Sequence, residues 1–250
     1  MSRQTIRQSF NRAAASYDAA ATLQRRVCEL LLAELSDAAP SAILDAGCGT
    51  GYGLGLLTDR WPQARLVAAD FAAAMLAAAG GGVCSDIEAL PFPAASFDLY
   101  WSSLTWQWCD VSRAVSEAAR VLAPGGTLAV SSLGPGTLAE LAAAFAGADR
   151  HRHVLEFVPA RTLTAACAGA GLLEPRVEQR SVRLRYRDLA ALLRELKALG
   201  ANQIGGPRRP GLMGRQTWRA VETRYEAHRD AAGLPATFEV ILCTARKPIS

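Results

Sequence analysis

No run of 18 or more apolar residues occurs in the 250-residue chain, because Asp, Glu or Arg interrupts each Ala/Leu-rich stretch. An ordinary membrane-spanning helix is therefore not expected. Residues 1–12 are polar and basic with no apolar h-region, so no secretory signal is expected either. Six scattered cysteines (Cys28, Cys48, Cys84, Cys109, Cys167 and Cys243) form no CxxC pair and no metal-ligand spacing. They read as buried thiols in a reducing, cytoplasmic compartment, with no metal site. Lysine is confined to Lys197 and Lys247, and histidine to His151, His153 and His228. None of these histidines sits in a recognisable base motif, and each reads as structural or surface. Internal repeats and long low-complexity linkers are also missing.

What is present suits one α/β domain carrying a cap. Hydrophobic residues make up 50% of the chain and charged residues 20%, a mix that buries a core and excludes a disordered or coiled-coil chain. The net charge of +4 is unevenly divided. Residues 1–149 carry 9 Lys/Arg against 14 Asp/Glu, and residues 150–250 carry 18 against 9. A docking face for an anionic partner and a solvated Arg-rich surface both fit that split. Nucleic acid is not expected, since no RNA-binding module or aromatic–basic interleaving is seen.

Short apolar runs predict strands at 42–45, 65–69, 83–84, 97–101 and 127–131, the last introduced by the turn Pro124-Gly125-Gly126. Helical periodicity falls at 22–35, 54–59, 72–79 and 111–122. Strand alternating with helix implies parallel strands with helices on both faces. Farther on, a helix at 162–170, a strand at 176–186, helices at 187–199 and 215–230 and a strand at 237–245 place a helical insertion between the last two strands. Residues 205–211 between those two helices read as a loop.

The strongest local signal is Leu44-Asp45-Ala46-Gly47-Cys48-Gly49-Thr50-Gly51, a strand running through glycines into a helix. Gly47, Gly49 and Gly51 let a ligand approach the backbone, and the helix start offers free N–H groups. A tight turn needed only for packing is the other reading. Asp45 inside the turn would repel a pyrophosphate and welcome an ammonium, which weakens a dinucleotide reading. Asp70 ends the second strand, where an acid would bind ribose hydroxyls. Asp86 and Ile87 follow the third, where an amide acceptor and an apolar side chain would hold an adenine.

This pattern resembles the class I S-adenosyl-L-methionine-dependent methyltransferases. Leu90-Pro91-Phe92-Pro93 before Phe97-Asp98, and Arg120-Val121-Leu122-Ala123-Pro124-Gly125-Gly126, look like that superfamily's later signposts. Phe10-Asn11-Arg12-Ala13-Ala14-Ala15-Ser16-Tyr17-Asp18 resembles the opening of the BioC family, the malonyl-acyl carrier protein O-methyltransferases of biotin synthesis. Asp86-Ile87-Glu88-Ala89-Leu90-Pro91, Trp101-Ser102-Ser103-Leu104, Gln107-Trp108-Cys109 and Leu196-Lys197-Ala198-Leu199-Gly200-Ala201-Asn202 look like further segments of it. The similarity spans nearly the whole chain.

The resemblance implies a Rossmann-like fold with a seven-stranded, mostly parallel sheet. It also implies one methyltransferase domain over residues 1–250: a helical lid at 1–40, a donor-binding core at 41–175, a cap at 187–233 and a last strand at 234–250. The implied reaction methylates the free carboxyl of a malonyl thioester carried by acyl carrier protein or coenzyme A. Donor binding is assigned to Asp45, Gly47, Gly49, Gly51, Asp70, Asp86, Ile87 and Ser102. Tyr17, Arg12 and Gln107 are assigned to the acceptor, with Trp106 and Trp108 as pocket wall or core. Arg183, Arg185, Arg187, Arg208 and Arg209 are candidates for meeting the acidic carrier protein. A small-molecule methyltransferase acting on a carboxylic acid or quinone precursor, and a catalytically silent binding module, remain alternatives.

Overall fold

A computed structural model describes residues 2–36, 39–201, 211 and 213–249. Arg208, Arg209 and most of the expected loop at 205–211 lie outside the described residues. Strands β1 (Ala42–Ala46), β2 (Arg65–Asp70), β3 (Val83–Cys84), β4 (Phe97–Ser102), β5 (Leu122–Leu133), β6 (Leu173–Tyr186) and β7 (Leu234–Arg246) form one sheet in the order β3-β2-β1-β4-β5-β7-β6. β1, β2, β3, β4 and β5 pair in parallel, and β7 runs antiparallel between β5 and β6. The central strands are apolar almost throughout, as strands covered on both faces must be. Ile43, Leu44, Tyr100, Leu128 and Val130 are fully buried.

Helices α1 (Arg3–Ala20), α2 (Thr22–Ala33), α3 (Tyr52–Arg60), α4 (Ala73–Ala78), α5 (Val111–Val121), α6 (Ala139–Phe145), α7 (Ala160–Gly169), α8 (Leu189–Ala198) and α9 (Arg215–Glu226) complete the described elements. α5 shows how a segment chooses its face. Asp110 caps it by accepting from the Arg113 N–H at 3.1 Å, and Val111, Ala114, Val115, Ala118 and Val121 form its buried stripe. Its Glu117 accepts from the Leu90 N–H while Arg120 donates to the Leu90 and Phe92 carbonyls, which fastens the loop before β4.

Two outcomes differ from the sequence reading. β5 begins at Leu122 rather than after the glycine turn, because the β4 pairing jumps from Leu122 to Thr127 and absorbs the intervening residues as a bulge. α6 was not foreseen, since its seven residues, AELAAAF, are too few to show a helical period. Among the described residues no helix is long and apolar enough to cross a membrane.

Candidate active site

The strand order reverses at β1, so a crevice opens beyond the carboxyl ends of β1, β2 and β4. The chain leaving β1 turns through Gly47 and Gly49, whose φ angles are +82° and +55°. A Cβ on Gly47 would lie 2.3 Å from Thr105 Oγ1, whereas one on Gly49 would meet nothing nearer than Tyr17 Cε1 at 4.0 Å. Gly47 is therefore imposed by packing, and Gly49 offers bare backbone to the crevice. Gly51 serves the turn itself: its φ is +96°, it starts α3, and its Cβ would press on Ala79 at 3.2 Å.

Asp70 accepts from the Gly49 N–H at 3.0 Å and the Ala72 N–H at 2.8 Å, holding the glycine loop against β2. Burial raises its pKa, and these backbone bonds oppose the rise. Each carboxylate oxygen keeps capacity for a further donor, as a pair of ribose hydroxyls requires. Asp45 is only 2% exposed, and its Oδ2 has no hydrogen-bond partner. Burial first, and the charge of Asp70 second, push its carboxyl up to about 8. An orphaned buried carboxylate of this kind fits a cationic ligand group. Ile87, 5% exposed, lines the crevice. Asp86 is beside it, but Arg3 of α1 already donates to Asp86 Oδ1 at 2.6 Å and pairs with Glu88 at 2.5 Å.

Three cavities meet at Tyr17. One lies among Asp70, Phe71, Met75, Asp86 and Ile87. A narrower one lies among Arg25, Asp45, Gly49 and Gly53. The third, about 240 Å³, is largely apolar and walled by Leu104, Trp108, Phe157, Leu193, Leu196 and Phe238. Tyr17 borders all three. The spacing of α1 puts it there: Ile6, Phe10, Ala13 and Tyr17 fall on one helical stripe facing the crevice. Burial, then the nearby acidic groups Cys28, Asp70 and Asp18, push the Tyr17 phenol well above its usual range. It stays a protonated donor.

Gln107 borders the third cavity. Its Nε2 donates to the Leu104 carbonyl at 2.6 Å, and its buried Oε1 is unpartnered. Trp108 forms wall, edge-on to Phe10 at 5.6 Å, while Trp106 is fully buried core.

Besides Gly51, which serves the turn and borders none of the three cavities, the structure does not bring two further expected residues to the site. Ser102 is fully buried and donates to the Ala46 carbonyl at 2.6 Å, stapling β4 to β1. Ser103, Leu104 and Thr105 face the crevice instead, because β4 ends at Ser102 and the chain beyond it turns over the carboxyl ends of the strands. Arg12 is exposed, and its Nε donates to the Gln8 carbonyl one turn back at 3.1 Å. It lies off the Phe10–Tyr17 stripe.

Arg3, Arg25, Gly53 and His153 reach cavity walls without having been expected there. The buried stripe of α1 is the signal that would have drawn attention to Arg3, one turn before Ile6. His153 carries no such sign. It stacks on Phe145 at 4.0 Å, and its Nε2 lies 3.0 Å from Asp149. Among the described residues no group of His, Cys, Asp and Glu could hold a metal ion.

Known proteins resemble the chain at three levels. A family described as a methyltransferase domain matches residues 44–130. The malonyl-[acyl-carrier protein] O-methyltransferase of Dechloromonas aromatica is 46% identical over 98% of this chain and 95% of its own length. That of Herminiimonas arsenicoxydans is 43% identical over 96% of this chain and 94% of its own. Among solved structures, the YcgJ protein of Bacillus subtilis superposes with a TM-score of 0.61 at 18% identity, over 89% of this chain and 98% of that one. Geranyl diphosphate C-methyltransferase from Streptomyces coelicolor gives 0.53 at 17% identity, over 88% and 74%. These structural likenesses concern the fold.

Proposed function

Because the chain belongs to the malonyl-[acyl-carrier protein] O-methyltransferase family, we propose that it methylates the free carboxylate of a malonyl thioester on acyl carrier protein, using S-adenosyl-L-methionine. The product ester is the neutral starting unit for chain extension toward the pimeloyl group of biotin. The observation that carries the reading is the position of Tyr17 at the meeting point of all three cavities. We assign the first cavity to the donor's adenosine, the narrow one to its amino acid and the apolar one to the acceptor.

The residues present suit that donor. Asp70 would hold the ribose, Ile87 and Phe71 the adenine, and the unpartnered Asp45 the ammonium, with Gly49 allowing close backbone approach. When bound, the donor supplies a methyl group on a positively charged sulfur for in-line transfer to a carboxylate oxygen. That oxygen is already ionised at neutral pH, since carboxyl groups of this kind titrate near ~4. The chain need not remove a proton. Its work is to aim the carboxylate and exclude water. A protonated Tyr17 suits one carboxylate oxygen as donor and leaves the other free to attack. Gln107, held by Leu104, offers a second polar contact, and Leu104 with Trp108 keeps the passage dry.

We divide the chain into a lid at 1–40, a donor-binding core at 41–175, a cap at 187–233 and a last strand from 234. The location we propose is the cytoplasm, whose reducing conditions suit free thiols at all six cysteines.

Purified protein with labelled donor, offered malonyl-carrier protein, malonyl-coenzyme A and free malonate in parallel, tests the reading. Base-labile label on the malonyl thioester is expected, with the carrier-protein form preferred. Transfer to none of the three, by protein that binds the donor, would overturn it.

A further inference from the structure

The apolar cavity must admit a carboxylate. Its walls are mostly Leu, Phe and Val side chains, and an ionised group enters such surroundings only against a partner of opposite charge. Among the described residues that border this cavity, His153 is the one side chain able to carry a positive charge, and Glu195 is the one carboxylate. Arg12, expected to hold the acceptor, faces water instead.

His153 is a fixed ring. It stacks on Phe145 of α6 with ring centres 4.0 Å apart and planes 17° from parallel, and its Nε2 lies 3.0 Å from Asp149 Oδ1. Asp149 is held in turn by the His151 N–H at 2.8 Å. That bond first, and the His153 ring second, keep the Asp149 carboxyl below its usual range. Among the described residues Nδ1 of His153 has no bonding partner. A protonated imidazole donates from both nitrogens, so one serves Asp149 and the other a ligand. Glu195 is engaged elsewhere, accepting from the Tyr186 hydroxyl at 2.5 Å, and its charge disfavours an anion on that wall.

We propose that His153 binds the malonyl carboxylate, so that this cavity admits acyl groups bearing a free carboxylate and loses its grip on them once they are esterified. This rests on assigning the apolar cavity to the acceptor. The uncharged Tyr17 supplies direction, and His153 supplies the charge. Methyl transfer cancels the carboxylate's charge, so the attraction that draws substrate in does nothing to retain product.

Carrier protein loaded with malonyl, malonyl methyl ester or acetyl groups separates charge from shape. Binding is measured with S-adenosyl-L-homocysteine in the donor site, so that no transfer occurs. His153→Leu should weaken the malonyl form about tenfold and leave the two neutral forms within about a factor of two. His153→Gln keeps a hydrogen-bonding end without the charge and should recover part of the loss. Affinity for S-adenosyl-L-homocysteine, expected unchanged, reports folding; should His153→Leu lose it, His153→Gln carries the comparison.

Equal weakening of all three forms would mean that the ring packs on the prosthetic arm or shapes the wall, and the proposal fails. Unchanged binding of all three also overturns it. Loss of S-adenosyl-L-homocysteine binding in both variants would make His153 a structural support and overturn it too. If the unaltered protein binds the malonyl and acetyl forms alike and methylates neither, the acceptor reading is itself wrong. Normal methylation of the malonyl form, with no selective loss at His153, leaves that reading standing.

Discussion

At the scale of single residues, the site trades stability for binding. Asp45 is buried without a partner, and its folded carboxyl lies near 8, well above the ordinary value near ~4. A raised folded pKa means the folded state holds its proton more tightly than the unfolded one. The penalty is absent below the unfolded pKa, grows as pH rises from there, and is complete above about 8. Asp45→Asn should therefore raise the thermal midpoint of donor-free protein more at pH 9 than at pH 5, while weakening donor binding. Melting curves across that range check it, and a stabilisation independent of pH would contradict the ionisation argument. Gly47→Ala should act differently. Its Cβ would overlap Thr105, and its φ is +82°, so a loss of roughly 1–3 kcal/mol is expected from the strained backbone alone. Denaturant unfolding measures this, and Thr105→Gly in the same chain should restore only the steric share. Asp45, Gly47 and Asp70 stood out in the sequence because each lies at or just beyond the carboxyl end of a strand, where the chain turns. Ser102 was misplaced because the end of β4 cannot be read from the sequence to one residue: Ser102 still lies in the sheet, and the crevice-facing residues begin with Ser103.

At the scale of elements, α1 closes the crevice through contacts spread along its length. Arg3 reaches Asp86 and Glu88, Asn11 Oδ1 accepts from the Ala74 N–H at 2.9 Å, and Asp18 accepts from the Thr50 hydroxyl at 2.6 Å. Ser16 donates to the Ala198 carbonyl at 3.0 Å at the end of α8. The lid thus touches the donor loop, α4 and the segment between the last two strands. Asn11 is the most telling of these contacts. α4 has only six residues and no side-chain cap of its own, so Asn11 supplies that cap from a different helix. Losing a cap costs roughly 1 kcal/mol. Asn11→Ala should speed amide exchange in both α1 and α4, with donor binding slowing it again. Faster exchange in α4 alone would mean that Asn11 caps α4 without holding the lid. The sequence showed helical periodicity within residues 1–40 only at 22–35, its resemblance implied a helical lid at 1–40, and the Phe10–Tyr17 motif pointed to the site. It did not show that Arg12 faces water, because choosing its face requires knowing which stripe of α1 packs. Ile6, Phe10, Ala13 and Tyr17 make that choice once the sheet edge is in place.

At the scale of the whole molecule, the charge split of −5 over residues 1–149 and +9 over residues 150–250 lies along the order of the sheet. The donor crevice belongs to β1, β2 and β4, while the arginine-rich β6 forms the far edge beyond β7. Part of that positive charge is already answered from within the chain. Arg185 pairs with Asp230 at 2.5 Å and Arg187 with Asp188 at 2.9 Å. Arg183 is exposed, its Nε donates to the Thr237 hydroxyl at 3.3 Å, and its charge adds to the bond from Arg185 in holding the Asp230 carboxyl below the usual range. In register it faces Thr237, and Phe238, the next residue along β7, lines the acceptor cavity. An acidic carrier protein drawn to this edge would arrive beside the cavity that its malonyl arm must enter. Long-range attraction acts mainly on association rate. Arg183→Glu should therefore lower kcat/KM for malonyl-carrier protein while leaving kcat unchanged. The difference from the unaltered enzyme should shrink with added salt, since screening acts over about 8 Å at physiological ionic strength. Malonyl-coenzyme A should lose less, because its charge is confined to the phosphates and offers no extended acidic surface. Equal losses on both substrates across the salt range would place Arg183 in contact with the shared prosthetic arm, and an unchanged kcat/KM on both would remove this edge from the docking surface.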